Sequence, residues 1–291
     1  MGRLRRLLDA KSLVRIMEAH NGLSSLLVEC LRYSGETVSR EFDSIWLGSL
    51  TDSMAKGRPD SDYIDRTSRA NTVNDILEVT TKPVFYDGGT GGVVEHFTKL
   101  VRSLERLGVS AVAIADEEQL EGAPDREFES GNIGKSAEGT VNKIHAGKHA
   151  QVTDDFMIVP RVASLRVGGV SSVRHGVACA TAYIAAGADG LIIDLWDDSG
   201  NELVQFMRQF LNSEETVPVF VSANQSVAID EHKLQEMGVS AVIYANQLLG
   251  AAHKAMAKVG HDILVNEGAP GGGEVFDLES RLLPGIGSNG G

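Results

Sequence analysis

Eight short apolar runs recur along the chain: Arg15–Ala19, Ser44–Leu47, Val84–Tyr86, Ala111–Ala115, Phe156–Pro160, Gly190–Asp194, Val217–Val221 and Ala241–Tyr244. Most are rich in Val, Ile and Ala without polar alternation, the pattern of parallel strands covered on both faces. Between them the period changes. Glu95–Leu107 places Phe97, Leu100, Val101, Leu104 and Leu107 on one face, and Arg174–Ala186 and Glu202–Leu211 behave similarly, which predicts amphipathic helices. Several helices enter the next strand through a short glycine junction. Leu107-Gly108-Val109-Ser110-Ala111-Val112 returns as Met237-Gly238-Val239-Ser240-Ala241-Val242, with Ala186-Gly187-Ala188-Asp189-Gly190 as a variant. Glycine there serves as a left-handed C-cap, a structural task. Eight alternating units in about 250 residues predict a (β/α)8 barrel. A doubly wound open sheet is the competing arrangement, but no strand is followed by G-x-G-x-x-G with an acid about 20 residues on.

Three segments break the alternation. Thr51–Thr72 is long and polar after the second strand; Glu117–Thr153 follows the fourth and opens on a dense acidic stretch; and Val265–Gly291 is Gly-rich apart from an apolar patch around Leu278–Leu283. Loops after barrel strands are where substrate contacts belong. The expected organisation is therefore one barrel domain over residues 1–264 and a loosely ordered tail over 265–291. Gly134-Lys135-Ser136 lacks both the upstream glycine and the preceding strand that a phosphate-binding P-loop requires.

Charge narrows the partners. A formal net charge of −13 argues against nucleic acid or an anionic membrane surface. It leaves a small anionic substrate open, because a local metal or Arg inverts the field inside a pocket. Cys30 and Cys179 have no partner at metal-ligand spacing and are expected to be buried free thiols in a reducing compartment. The apolar run after Arg3, Arg5 and Arg6 is too short for a signal peptide, and no run approaches the roughly 20 residues that span a bilayer. A soluble, cytoplasmic protein is expected.

The strand ends define the chemistry of such a barrel. They carry Glu18, His20 and Asn21, then Trp46, Ser49 and Leu50, then Asp87, Asp116, Arg161, Asp194, Ser222, Asn224 and Asn246. Several carboxylates facing one Arg suit a divalent cation and a small carboxylate. Asp87 and Arg161 stand out because each abuts a strongly apolar strand, where a charge must be paired or liganded. Asp87 also opens the glycine-rich turn Gly88-Gly89-Thr90-Gly91-Gly92.

Four motifs carry a family resemblance: Met17-Glu18-Ala19-His20-Asn21-Gly22-Leu23-Ser24, Ile45-Trp46-Leu47-Gly48-Ser49-Leu50, Asp87-Gly88-Gly89-Thr90-Gly91 and Tyr244-Ala245-Asn246. In this order, over roughly Leu4 to Leu264, the chain resembles the phosphoenolpyruvate mutase branch of the isocitrate lyase superfamily. The resemblance implies a (β/α)8 barrel with its last helix swapped between subunits of a homodimer or homotetramer. It also implies Mg2+ and a small anionic 2-oxo or enol acid, with P–C or C–C bonds made or broken beside an enolate. By the same resemblance Trp46, Ser49 and Leu50 cradle the pyruvoyl unit, partly through backbone N–H groups. Asp60, in Gly57-Arg58-Pro59-Asp60-Ser61, is the catalytic acid of a mobile segment, Asp87 contacts the metal, and Arg161 binds the substrate's anionic groups.

The motifs also depart from the family's pattern. The family's Asp-Gly-Asp-Thr-Gly has Gly89 at its second acid, and its Glu-Asp-Lys reads Ala115-Asp116-Glu117. Its Lys-x-Asn-Ser is absent, and Asp194 stands where it has His. These changes imply a weakened Mg2+ site at Asp87 and Asp116, with Asp194 among the substrate-binding residues; in a diverged enzyme Asp116, Glu117 or Asp194 rebuilds the metal shell. The implied activity is that of a phosphoenolpyruvate mutase-like enzyme. The alternatives are a diverged C–C lyase, a phosphonopyruvate hydrolase-type enzyme, and a barrel without catalysis.

Overall fold

The computed structural model describes residues 2–36, 38–60, 66–115, 134–162, 170–195, 200–213, 215–223 and 230–268. It opens with α1 (Arg3–Ala10) and β1 (Val14–Glu18), then α2 (Gly22–Cys30) and a small antiparallel hairpin of β2 (Arg32–Ser34) and β3 (Ser39–Glu41). Next come β4 (Ser44–Leu47), α3 (Ser49–Ala55), α4 (Arg66–Val79), β5 (Val84–Asp87), α5 (Val94–Leu107) and β6 (Ala111–Ile114). The second half runs α6 (Gly134–Ala150), β7 (Met157–Pro160), α7 (Val170–Ala185), β8 (Leu191–Leu195), α8 (Asn201–Phe210), β9 (Val219–Ala223), α9 (Glu231–Glu236), β10 (Ala241–Tyr244) and α10 (Gln247–Asn266).

Eight strands form one parallel sheet in the order β7-β6-β5-β4-β1-β10-β9-β8. Its two edges meet where Arg161 bridges Ile192, with Val162 N–H donating to the Ile192 carbonyl at 2.9 Å and Asp189 N–H to that of Ile158 at 2.9 Å. The result is the expected eight-stranded barrel. All eight apolar runs become strands, with ends displaced by at most two residues.

Strand alternation sorts the apolar residues into two layers. Inside the barrel, Trp46, Phe85 and Phe220 interlock edge-to-face, with centroids 5.0 and 5.3 Å apart, opposite the small Ala111, Ala113 and Ala241. Leu4 of α1 closes the N-terminal end of this cluster. Outside, Val73, Phe97, Val101, Leu104, Tyr183 and Phe206 bury the helices on the sheet. The glycine junctions adopt the expected conformation: φ is +90° at Gly108, +98° at Gly187 and +83° at Gly238.

Four expectations change. Thr51–Thr72 is largely helical, since α3 and α4 take both its ends. The second half of Glu117–Thr153 is α6, while residues 117–133 lie outside the described residues. Cys179 is buried as expected, but Cys30 is exposed, because it ends α2 on the face opposite the buried Val28. Finally, α10 continues to Asn266, past the expected boundary at 264, and the patch around Leu278–Leu283 lies outside the described residues. Among the described residues no helix is long and apolar enough to cross a membrane.

Candidate active site at the barrel mouth

Arg161 follows β7 directly and lies at the C-terminal mouth with 13% of its side chain exposed. Nη1 donates to Asp194 Oδ1 at 2.6 Å, and Nη2 reaches Asp87 Oδ2 at 3.4 Å. The guanidinium carbon sits 5.3 Å above the Trp46 ring. Burial works to lower the Arg161 pKa, but Asp194 and then Asp87 outweigh it and hold the group above its ordinary value. Three candidates from three strands, Asp87, Arg161 and Asp194, therefore form one ion-paired unit. Trp46 is its floor, with its own side chain only 1% exposed.

The turn after β5 is held closely. Gly88 N–H donates to Ala113 O at 2.9 Å, and a Cβ on Gly88 would lie 2.8 Å from that oxygen, so only glycine fits. Gly89 N–H donates to Asp87 Oδ1 at 3.1 Å, and Lys143 Nζ of α6 donates to Thr90 O at 3.0 Å. Gly89 itself has φ +58° and open space where a side chain would project.

Ser49 and Leu50 form the first turn of α3, directly beyond Trp46, where helix N–H groups have no intrahelical acceptor. Asp60 is exposed at a bend between α3 and α4. Asp116 and Asn224 lie outside the described residues. Ser222 is buried on β9, paired in register with Asp194. At the end of β1, Glu18 is fully buried, and its Oε1 lies 2.5 Å from His20 Nδ1.

Two residues of this neighbourhood escaped sequence reasoning. Arg69 of α4 donates from Nη1 to the Asp87 carbonyl at 2.7 Å and stacks 4.2 Å over the Tyr86 ring. Asp52 of α3, fully buried, accepts from Lys56 Nζ at 2.7 Å and Thr72 Oγ1 at 2.9 Å. The signal was present. Asp52 and Lys56 stand at i,i+4, a helical pairing inside a stretch read as loop.

Among the described residues no three His, Cys, Asp or Glu converge as metal ligands. Mg2+, however, is commonly held through one or two carboxylates and several waters, so Asp87 fits as a single anchor. Arg161 already lies on one of its oxygens and the Gly89 N–H on the other.

Comparison with known proteins decides the family. The family described as phosphoenolpyruvate phosphomutase matches residues 4–264. The chain belongs to it. A phosphoenolpyruvate phosphomutase of Tetrahymena pyriformis is 28% identical over 91% of this chain and 83% of its own length. The crystal structure of the phosphomutase from Streptomyces platensis subsp. rosaceus superposes with a TM-score of 0.76 at 28% identity, covering 92% of this chain and 88% of that one. A phosphonopyruvate hydrolase solved with oxalate and Mg++ gives 0.72 at 25% identity, over 91% and 87%. Curated 2-methylisocitrate lyases match as well, that of Bacillus subtilis at 26% identity over 89% of this chain and 79% of its own length. This phosphomutase-family chain thus shares sequence and barrel with isomerases, hydrolases and lyases.

Proposed function

We propose that the chain acts, with Mg2+, on a small 2-oxo or enol acid of the phosphoenolpyruvate or phosphonopyruvate type, working P–C bond chemistry through an enolate. The observation that carries this reading is the Arg161 guanidinium held at the mouth between Asp87 and Asp194. Its planar fork suits a carboxylate or phosphonate, gripped by exchange of one internal ion pair for the ligand. The first-turn N–H groups of Ser49 and Leu50 meet the enolate oxygen, where negative charge develops. Asp60, on its exposed connection, gates the mouth and assists the reaction as it closes. Asp87 holds Mg2+, which supplies further charge stabilisation to the enolate when bound.

One observation favours a second reading, a C–C lyase, with a hydrolase as the further alternative. Asp194 sits on Arg161 Nη1, and a carboxylate there opposes a migrating metaphosphate-like group. Two like charges about 4 Å apart near a protein surface cost about 4 kcal/mol. A metal-supplemented screen of phosphonopyruvate, phosphoenolpyruvate, oxaloacetate and 2-methylmalate-type acids, read by phosphorus and proton NMR, tests both readings. Phosphonopyruvate turning into phosphoenolpyruvate supports the first, and release of phosphate or C–C cleavage supports the second. Silence with every acid overturns both.

The same reading includes a homodimer or homotetramer held through α10. No residue of α10 is buried, and Met256, Val259, Ile263 and Leu264 are exposed by 65%, 55%, 41% and 81%. Beside β1 and β10 lies an open cavity of about 570 Å³ whose walls include Met17, Leu31, Tyr33, Phe42 and Tyr244. An apolar helix without a core and an apolar cavity in the outer layer are complementary needs.

A further inference from the structure

Asp87 and the first turn of α3 belong to different strand–helix units, yet one buried network joins them. Its centre is Asp52, whose Oδ1 takes Lys56 Nζ at 2.7 Å and Thr72 Oγ1 at 2.9 Å. Lys56 Nζ also donates to Thr72 Oγ1 at 2.7 Å, so the end of α3 is fastened to α4 on both sides of the segment that carries Asp60. Arg69 extends the network to the site. Its Nε lies 3.3 Å from Asp52 Oδ2, its Nη1 donates to the Asp87 carbonyl, and its plane covers Tyr86.

We propose that Arg69 is a positioning residue: it couples the Asp87 strand end to α3, and so sets the distance between the Asp87 carboxylate and the Ser49–Leu50 turn. Two features favour this over a simple surface ion pair. Asp52 is fully buried and Arg69 is 12% exposed, so neither charge is screened by water. The contact falls on the backbone of the very residue whose carboxylate meets Arg161. Lys at this position keeps the charge but lacks the fork to reach Asp52 and the Asp87 carbonyl together.

The proposal rests on Asp87, Ser49 and Leu50 forming the substrate site, so its test has one arm independent of activity. Amide hydrogen exchange is measured on full-length wild type, Arg69→Met and Arg69→Lys. Exchange over residues 86–91 and 48–52 is expected to quicken about tenfold or more in both variants, the scale of one lost charged hydrogen bond, while β8–β10 stay unchanged. Quickening confined to α4, spread over the whole chain, or absent overturns the proposal. If Arg69→Met does not fold, Arg69→Lys carries both arms. In the second arm, on whichever acid the wild type converts, kcat falls about tenfold or more with little change in KM. Full rescue by Lys, or wild-type kcat in a variant that exchanges faster, overturns the positioning role. A wild type that converts none of the acids removes the functional reading instead, and exchange alone then decides whether Arg69 couples the two elements.

Discussion

Glu18 Oε2, buried at the end of β1, accepts the backbone N–H of Leu248 at 3.0 Å in the first turn of α10. Leu249 N–H joins it at 3.2 Å, and His20 takes the other carboxylate oxygen. An anion at a helix start is favourable, and this one fixes the direction in which the last helix leaves the barrel. Glu18→Ala should therefore cost about 2–3 kcal/mol, because it strands two helix N–H groups and an imidazole. Glu18→Gln should cost less, since its carbonyl oxygen still accepts. Urea unfolding of the two variants checks the order, and an Ala variant as stable as wild type would sink it.

The direction of α10 bears on assembly. Val259 and Ile263 stand one turn apart on α10, both exposed. Changing both to Asp should dissociate the proposed oligomer while the barrel stays folded, as read by light scattering and circular dichroism. A wild-type particle of 31.1 kDa would rule the assembly out.

The Arg161 unit predicts opposite effects for its two ends. Arg161→Gln should weaken oxalate binding about a hundredfold and lower Tm, because Asp87 and Asp194 lose their counter-charge. Asp194→Asn should instead tighten oxalate binding, since it removes the internal anion that competes for Nη1. If Arg161 is only a neutraliser, its loss lowers Tm and leaves affinity unchanged.

A pH dependence follows from the outer network behind β10. Arg15 grips Glu231 with contacts of 2.6–3.0 Å, and the Tyr244 hydroxyl donates to Glu231 at 2.7 Å. Burial raises the Glu231 pKa, but Arg15 and Tyr244 outweigh it and hold the carboxyl below the usual range. A lowered folded pKa gives stability that is present above the unfolded value, about 4.3, and is lost as pH falls through the folded one. Burial and the Glu231 carboxylate push the Tyr244 hydroxyl well up, so its contribution is lost only in strong alkali. The Tm gap between wild type and Glu231→Gln should thus be open at pH 7, start to narrow near the unfolded value of about 4.3, and close as pH falls through the lower folded one. A gap that is constant with pH contradicts this.

The barrel was legible because its strands are apolar on both faces, a pattern that few other arrangements tolerate. The glycine junctions were legible for a similar reason, since only a left-handed cap explains them. The β2–β3 hairpin was not, because Arg32–Ser34 and Ser39–Glu41 are polar and form an exposed two-stranded ribbon with no buried face. At the site, Asp87 and Arg161 showed as charges beside apolar strands. Arg69 did not, because its importance lies in a contact with a backbone carbonyl across a helix–strand junction, and no spacing in the chain encodes that.

Gly89 offers the sharpest test of the metal. It stands where the family's motif carries a second Asp, and a Cβ there would meet nothing within 4 Å among the described residues. The turn therefore leaves a Cβ open space, and what is missing is the charge. Its φ of +58° is one that Asp adopts more readily than most residues, at a cost of about 1–2 kcal/mol. Gly89→Asp would set a second carboxylate two residues from Asp87 on the same turn. Two hard oxygen donors hold Mg2+ and its waters better than one. Calorimetry should show Mg2+ binding tighter by about tenfold or more in the variant, at the expense of a slightly lower Tm without metal. Tight Mg2+ binding by the wild type, unchanged by Gly89→Asp, would mean that the ion is anchored elsewhere and that Asp87 serves Arg161 alone.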